Sequence, residues 1–392
     1  MRSVLDAHLE AARREVQDPE FRALRAWKEA APGRACVGFF PVYAPQEVIH
    51  AAGALPVAIY GGGDAIEVEQ ADARMQSFIC SISRSTLELG LSGRLGFLDG
   101  MLFSSLCDVA RNLSGVWQRN FPGMFCEYLH YPQNLHSAGA AEYYRNHLRD
   151  LAERIASRTG RSVTEESLVR SLDLYEEQRR LLRRLAAVRR EEPWRLSLEE
   201  LLVLVRAAGL RDPAEHNAVL EEVLQELPRR EGKPLDGVRV VLEGSFCEQP
   251  PLELLRTLDD AHCFVVESDL ARGLRWYRGP LQRSGDPWED LVRGWFEDAE
   301  PCVARHKDPA ERSARLVERV RESGADGVLF CIAKFCEPAF YDFVLHKRAL
   351  EAAGIPYLEV EFEEKMATFD SLRTQAETFV ESILFFAEEL RA

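Results

Sequence analysis

The sequence predicts an α/β protein of two pseudo-symmetric α/β units with mostly parallel sheets, joined by a helical insert. Three observations carry that expectation. Asp99-Gly-Met-Leu-Phe-Ser-Ser is an apolar run closed by small polar residues; it reads as a short buried strand and leads into Cys107-Asp108 at a helix start. Asp326-Gly-Val-Leu-Phe-Cys-Ile-Ala repeats the design and leads into Cys336-Glu-Pro, with Pro338 in the first helical turn, where a proline's lack of an N–H is harmless. Between these halves, residues 142 to 228 keep helical spacing almost throughout, punctuated at Pro193 and Pro213. Two similar halves, each ending a strand on a cysteine, are expected to face one another across a cleft. Ligands of open α/β sheets sit beyond the carboxyl ends of the strands.

At 392 residues the chain is too long for one ordinary core. The expected division is an N-terminal helical arm (1–31), a first α/β domain (32–140), a helical insert (141–235) and a second α/β domain (236–392). With 46% hydrophobic and 29% charged residues the composition is that of a soluble globular protein. A net charge of −15 argues against a nucleic-acid partner, since phosphate binding needs an excess of basic surface. No apolar run approaches the roughly 18 residues of a bilayer span. The first ten residues lack a signal-peptide h-region, so a cytoplasmic protein with no membrane contact is expected.

In chain order, residues 1 to 31 are Arg-, Glu- and Ala-rich and read as a surface-lying helical arm. Ala35-Cys-Val-Gly-Phe-Phe is the first strand; Pro45 then opens a short helix that Gly53 ends. Leu55-Pro-Val-Ala-Ile-Tyr is the next strand and runs into Gly61-Gly62-Gly63, a tight turn or a place where backbone approaches a phosphate. Cys80 begins the helix before the Asp99 strand, and Met124-Phe-Cys-Glu-Tyr-Leu-His is the strand after the Cys107 helix. In the insert, Arg179, Arg180, Arg183, Arg184, Arg189 and Arg190 stand among Glu and Leu and read as a solvated helix face. Val238-Arg-Val-Val-Leu-Glu opens the second unit, and the Phe246-to-Leu255 stretch after it parallels Phe40-to-Ile49. Cys263-Phe-Val-Val-Glu and Ile355-Pro-Tyr-Leu-Glu-Val-Glu are further strands. The piece from Arg272 to Pro309, with Trp276, Tyr277, Trp288 and Trp295, is helical by turns, and 371 to 390 forms a closing amphipathic helix.

The chemistry lies in thiols. Nine cysteines in such a chain are thiols or metal ligands rather than disulfides. None forms a CxxC pair, so any metal site must be assembled from distant segments. There is no GxxxxGK[ST], GxSxG or HExxH, so a reaction driven by ATP would need a partner to hydrolyse it. A thiol at a helix N-terminus is pushed toward thiolate, the metal-binding form, and Cys80, Cys107 and Cys336 all occupy such positions. Each alone reads more simply as a buried structural cysteine; the repeat favours the ligand reading. Three thiolates can hold a 4Fe-4S cluster and leave one iron without a protein ligand. Cys247, also beyond a strand end, is a fourth candidate ligand or a wall of the cleft. Cys36, Cys126, Cys263, Cys302 and Cys331 read as core. His50, His130 and His216 are possible proton donors, but satisfied structural histidines are the simpler reading.

The runs PVYAPQEVIHAAGALPVAIYGGGDAIEV, ICSISRSTLELGLS, DGMLFSSLCDVARNLSGVW, GSFCEQPPL and KFCEPA resemble, in this order, the benzoyl-coenzyme A reductase and 2-hydroxyacyl-coenzyme A dehydratase family. The likeness covers nearly the whole chain and is weakest in the insert and between Arg272 and Lys307. It implies a cluster-binding subunit with one 4Fe-4S cluster on Cys80, Cys107 and Cys336. It also implies a homologous cluster-binding partner subunit, an ATP-hydrolysing iron–sulfur activator, and ferredoxin as upstream donor. The activity implied is reduction of an aromatic acyl-CoA to a cyclic dienoyl-CoA in anaerobic aromatic degradation, the thioester carbonyl stabilising a radical anion. The alternatives are a 2-hydroxyacyl-CoA dehydratase working through a ketyl radical, and a non-catalytic two-domain ligand-binding module.

Overall fold

Helices α1 (Val4–Val16) and α2 (Arg22–Glu29) precede a first unit of β1 (Ala35–Phe40), α3 (Gln46–Ala51), β2 (Ala54–Ala58), α4 (Ser81–Leu91), β3 (Gly100–Ser104), α5 (Asp108–Asn120) and β4 (Phe125–Leu129). Helices α6 (Ala140–Thr159), α7 (Glu165–Glu191), α8 (Leu198–Ala207) and α9 (Pro213–Glu226) follow. The second unit runs β5 (Val238–Glu243), α10 (Leu252–Asp260), β6 (Cys263–Ser268), α11 (Pro287–Arg293), α12 (Pro309–Ser323), β7 (Gly327–Ala333), α13 (Glu337–Ala353) and β8 (Tyr357–Phe362), closed by α14 (Asp370–Glu389). This computed structural model describes residues 3–232, 236–244, 247–270, 279–299, 301–302 and 308–389. Ser245, Phe246, Arg272, Trp276, Tyr277 and Lys307 lie outside them.

The two sheets have the same architecture: four parallel strands in the orders β2-β1-β3-β4 and β6-β5-β7-β8. The expected pair of parallel α/β units is therefore what the chain forms. Every residue of β1, β3 and β7 is buried, as expected where helices cover both faces of a parallel sheet. The shared Asp-Gly opening of β3 and β7 has a structural cause. The Asp99 carboxylate accepts the Cys36 N–H at 2.7 Å while its own N–H donates to Cys36 O at 2.8 Å. Asp326 does the same to Arg239, at 2.8 and 2.7 Å. The glycine next to each admits a neighbouring segment: a Cβ would stand 2.5 Å from the Phe125 ring at Gly100, and 2.9 Å from Pro356 O at Gly327.

Between the sheets the chain crosses repeatedly. Helix α7 sends Leu168 and Leu172 into the first unit's core and Leu181, Leu182 and Leu185 into the second's. Leu281, Trp288, Leu291 and Trp295, which follow β6 in sequence, pack into the first core, where Trp295 stacks on Tyr131 at 4.0 Å. The N-terminal arm is anchored as well: Leu5, Leu9 and Ala12 are buried with α8, and Arg13 donates to Glu199 at 2.8 Å.

The arginines of α7 divide in a way their spacing does not show. Arg180 and Arg184 are exposed, but Arg179 is buried against Glu47 at 2.6 Å. Arg189 is buried too; it pairs with Asp259 and donates to the carbonyls of Val265, Pro193 and Leu196. A purely solvated face is thus corrected: the two buried arginines, with Arg190 on Glu267 at 2.8 Å, tie the insert to the units on either side.

Candidate functional site

In a sheet of order 2-1-3-4 the connections leave β1 and β3 in opposite directions, and a crevice opens between their carboxyl ends. The second unit has the same crevice between β5 and β7. Cys107 follows β3 and Cys336 follows β7, each as the N-cap residue of the next helix, α5 and α13. Asp108 does not cap this helix; it is the first helical residue, with its side chain 88% exposed. Cys247 lies in the segment after β5. Cys80 is the N-cap residue of α4, the helix that leads from β2 to β3. Its counterpart in the second unit, α12, starts conventionally on Asp308, whose carboxylate accepts the Ala310 N–H at 2.7 Å. A sulfur thus stands where a capping oxygen would serve the helix better.

The structure brings these thiols to one place. Cys107 and Cys336 both act electrostatically on Cys80, and Cys107 on Cys336. Cys80, Cys107, Cys247 and Cys336 all pack against the first core, and Cys336 also touches both core clusters of the second unit. Among the described residues no group of His, Cys, Asp and Glu is disposed to hold a single metal ion. A cluster makes a different demand, for separate sulfurs around a larger space, and the donor set at this crevice suits it: thiols from both units and no cation as a leading neighbour.

Helix N-termini do not set the thiol acidities. Burial is the largest influence on all three; it pushes Cys336 up to about 12 and raises Cys80 and Cys107 too. Glu248 raises Cys80 further. The Ser83 hydroxyl, 3.1 Å from Cys80 Sγ, opposes this, as do the amides of Val109 and Ala110 beside Cys107 and of Ala339 beside Cys336. None of the three sulfurs closes a cap hydrogen bond of normal geometry, so the helix contribution stays secondary. Further acidic neighbours are Asp108 and Glu337 at Cys107 and Asp269 at Cys336. Immediately before Cys336, Phe335 holds a left-handed backbone at φ 66°, a strained conformation for a bulky residue and one that gathers at functional sites.

Two buried carboxyls that sequence reasoning passed over lie beside Cys80. Glu248 accepts the Ser81 Oγ–H and, at 3.1 Å, the Ile82 N–H. Glu364 donates its backbone N–H to Ser81 Oγ at 3.3 Å. Burial pushes both carboxyls above the usual range, and the charge of Glu248 adds to the effect on Glu364. The triglycine turn meets this carboxyl: Gly63 N–H donates to Glu364 Oε1 at 3.4 Å, and a Cβ at Gly61 (φ +81°) would lie 2.0 Å from the same oxygen. The turn, with Arg206 and Tyr60, lines a cavity of about 310 Å³.

Most of the remaining candidates are buried or half-buried, and His130 is exposed. Cys36, Cys263, Cys302 and Cys331 are buried, and Cys126 is half-buried with its Sγ 3.8 Å from Ser114 O. His216 is fully buried on Leu204 O, His50 meets Ser171 Oγ at 2.9 Å, and His130 packs edge-on against Tyr128.

Two parallel α/β units, with thiols from both gathered beyond the carboxyl ends of their strands, form the fold and candidate site of an enzyme subunit. The chain belongs to the family described as 2-hydroxyglutaryl-CoA dehydratase, D-component, whose model matches residues 41–383, and it is a subunit of dehydratase/reductase type. It is 39% identical to the C subunit of benzoyl-CoA reductase from Thauera aromatica, over 94% of this chain and 95% of that one. It is 27% identical to the (R)-phenyllactyl-CoA dehydratase beta subunit of Clostridium sporogenes, over 94% and 96%. The identity to the beta subunit of (R)-2-hydroxyglutaryl-CoA dehydratase from Acidaminococcus fermentans is 26%, over 91% and 94%. No helix among the described residues is long and apolar enough to cross a membrane.

Proposed function

We propose that the chain is the C, or gamma, subunit of an ATP-dependent benzoyl-CoA reductase and takes part in reducing an aromatic acyl-CoA to a cyclic dienoyl-CoA. Cys80, Cys107 and Cys336 would hold one 4Fe-4S cluster, with Cys247 as the alternative donor at the same crevice. The gathering of these thiols from both units is the observation that carries the reading. The reductase is favoured over the dehydratases by 39% identity against 27% and 26%. When bound, the cluster would supply low-potential one-electron transfer.

The chain's residues would shape that chemistry in three ways. The thiols are desolvated, so they ligate as thiolates only when metal displaces their protons, which makes cluster loading strongly pH-dependent. The acidic neighbours Glu248, Asp108, Glu337 and Asp269 oppose added negative charge and so favour a low potential. The crevice leaves its four cysteines only partly exposed, which limits the water that would compete for a reactive electron-rich centre.

The partners in this reading are a homologous cluster-binding subunit and an ATP-hydrolysing iron–sulfur activator supplied by ferredoxin, all cytoplasmic. The test is turnover by the complex reconstituted anaerobically from these subunits. Benzoyl-CoA should be reduced, and a 2-hydroxyacyl-CoA left untouched; dehydration of the latter with no reduction of the former would assign the chain to the dehydratases. Absence of iron and acid-labile sulfide from anaerobically purified protein would remove both and leave the ligand-binding module.

A further inference from the structure

We propose that Glu248 is a positioning residue for Cys80, acting across the crevice through the first turn of α4; this rests on the cluster reading above. Glu248 is 2% exposed and belongs to the segment after β5, in the opposite unit from Cys80. One of its carboxylate oxygens accepts the Ser81 Oγ–H and the other the Ile82 N–H at 3.1 Å. Ser81 Oγ in turn accepts the Glu364 N–H at 3.3 Å. The residue next to Cys80 is therefore gripped by two segments of the second unit.

The need for this grip follows from what Cys80 does not do. The first amides of a helix require acceptors, and a cap residue normally supplies one from its own side chain. Asp308 does so for α12, whereas the Cys80 side chain makes no cap hydrogen bond to α4. The acceptor comes instead from Glu248, whose negative charge also suits the positive end of the helix. Cys80 is thereby relieved of capping.

Cys80 is also the thiol that its own strand leaves least constrained. Cys107 and Cys336 stand within three residues of β3 and β7. Cys80 ends the stretch between β2 and α4, in which the only regular element is the short turn Gly63–Ala65. That stretch is pinned internally where Glu88 accepts the N–H groups of Glu69 and Ala71 at 3.0 and 2.9 Å. Its end is fixed to the second unit, and so to Cys336, by Glu248. A carboxylate kept buried near other acids, against the cost of desolvation, fits a role that fixes geometry.

The experiment uses anaerobically purified full-length protein, wild type and the variants Glu248→Ala, Glu248→Gln and Ser81→Ala. Iron, acid-labile sulfide and the EPR spectrum of the reduced protein are measured, with far-UV circular dichroism as the folding check. Wild-type protein without iron ends the cluster reading itself, before any variant is compared. With wild type loaded, Glu248→Ala should keep its secondary structure, lose most of its iron and show an altered EPR spectrum in what remains. Glu248→Gln, whose amide oxygen still accepts the Ile82 N–H, should restore both iron and spectrum toward wild type. Ser81→Ala, which changes no charge, should show a smaller loss in the same direction, and it carries the test if Glu248→Ala does not fold. Wild-type iron and an unaltered spectrum in a folded Glu248→Ala, or in Ser81→Ala when Glu248→Ala is unfolded, overturns the proposal, as does a Glu248→Gln as depleted as Glu248→Ala.

Discussion

Replacing Arg189 by Met tests a buried polar link between the insert and the second unit. The long apolar side chain keeps most of the volume, so the loss is mainly electrostatic. It removes the pair with Asp259 and three hydrogen bonds, to Val265 O at 3.1 Å, Pro193 O at 3.0 Å and Leu196 O at 3.2 Å. Asp259 keeps the Leu198 N–H at 2.9 Å but faces an apolar interior without its cation. Breaking a buried pair from one side costs about 3–5 kcal/mol. The urea dependence grows with chain size beyond the roughly 1–3 kcal/mol per molar of small proteins; at about 4 the midpoint should fall by about 1 M. Arg180→Met, nine residues earlier on the same helix, is the control: its partner Glu177 is three residues away and its side chain is 48% exposed, so less than about 1 kcal/mol is at stake. The assay is equilibrium unfolding in urea by circular dichroism.

A pH series adds a signed check. Burial, opposed by Arg189, holds the Asp259 carboxyl above the usual carboxylate range. A folded-state value above the unfolded one of about 3.9 means that ionisation penalises the fold at neutral pH, and the penalty disappears as pH falls through the folded value. Without Arg189 that penalty grows, so the deficit of Arg189→Met should narrow from pH 7 toward pH 4, and Asp259→Asn in its background should recover part of it. Equal midpoints for the Arg189 and Arg180 variants would refute the reasoning.

Three further outcomes are expected. Alanine at Cys80, Cys107 or Cys336 should abolish iron content and activity together, whereas Cys126→Ala or Cys263→Ala should keep both and lose about 1–3 kcal/mol of stability; iron analysis beside urea melts separates the cases. The chain purified without partners should show no saturable ATP hydrolysis in a phosphate-release assay, because it carries no nucleotide motif. Burial lowers His216 to about 3, below the unfolded value of about 6.5, so its contribution is present above that value and is lost as pH falls toward 3, at about 1.4 kcal/mol per unit. The unfolding free energy from urea melts should therefore fall, between pH 7 and 5, by about 2 kcal/mol more in wild type than in His216→Gln.

The strands were legible because parallel strands covered on both faces are continuous apolar runs with few rival readings. Ala35–Phe40 matches residue for residue, and the others agree within a few positions at their ends. The pairing of Cys107 with Cys336 was equally legible, since the repeated Asp-Gly opening fixes the register of β3 on β1 and of β7 on β5. Arg189 was not, because helical spacing says which residues share a face but not that a neighbouring unit covers part of it. The thiol acidities were misjudged for a related reason. A helix terminus is visible in sequence, while desolvation by tertiary packing is not, and desolvation is the larger influence here. Glu248 stood next to a candidate cysteine, yet nothing local says that its carboxylate reaches Ser81, 167 positions away.

The duplicated architecture also explains why the site is asymmetric. The backbone places equivalent helix starts at corresponding points of both units, and the side chains there have diverged. Where α12 begins on Asp308, α4 begins on Cys80. With Pro45 and Pro251 as the matching residues before α3 and α10, the counterpart of Glu248 is Val42, a buried residue of the first core. A capping oxygen has been exchanged for a sulfur in one unit, and an apolar wall for a carboxylate in the other. The second change supplies across the crevice what the first removed, so neither unit can complete the site alone. A swap that made the halves more alike, Cys80→Asp, should consequently cap α4 from within, weaken its dependence on Glu248 and leave the crevice one sulfur short.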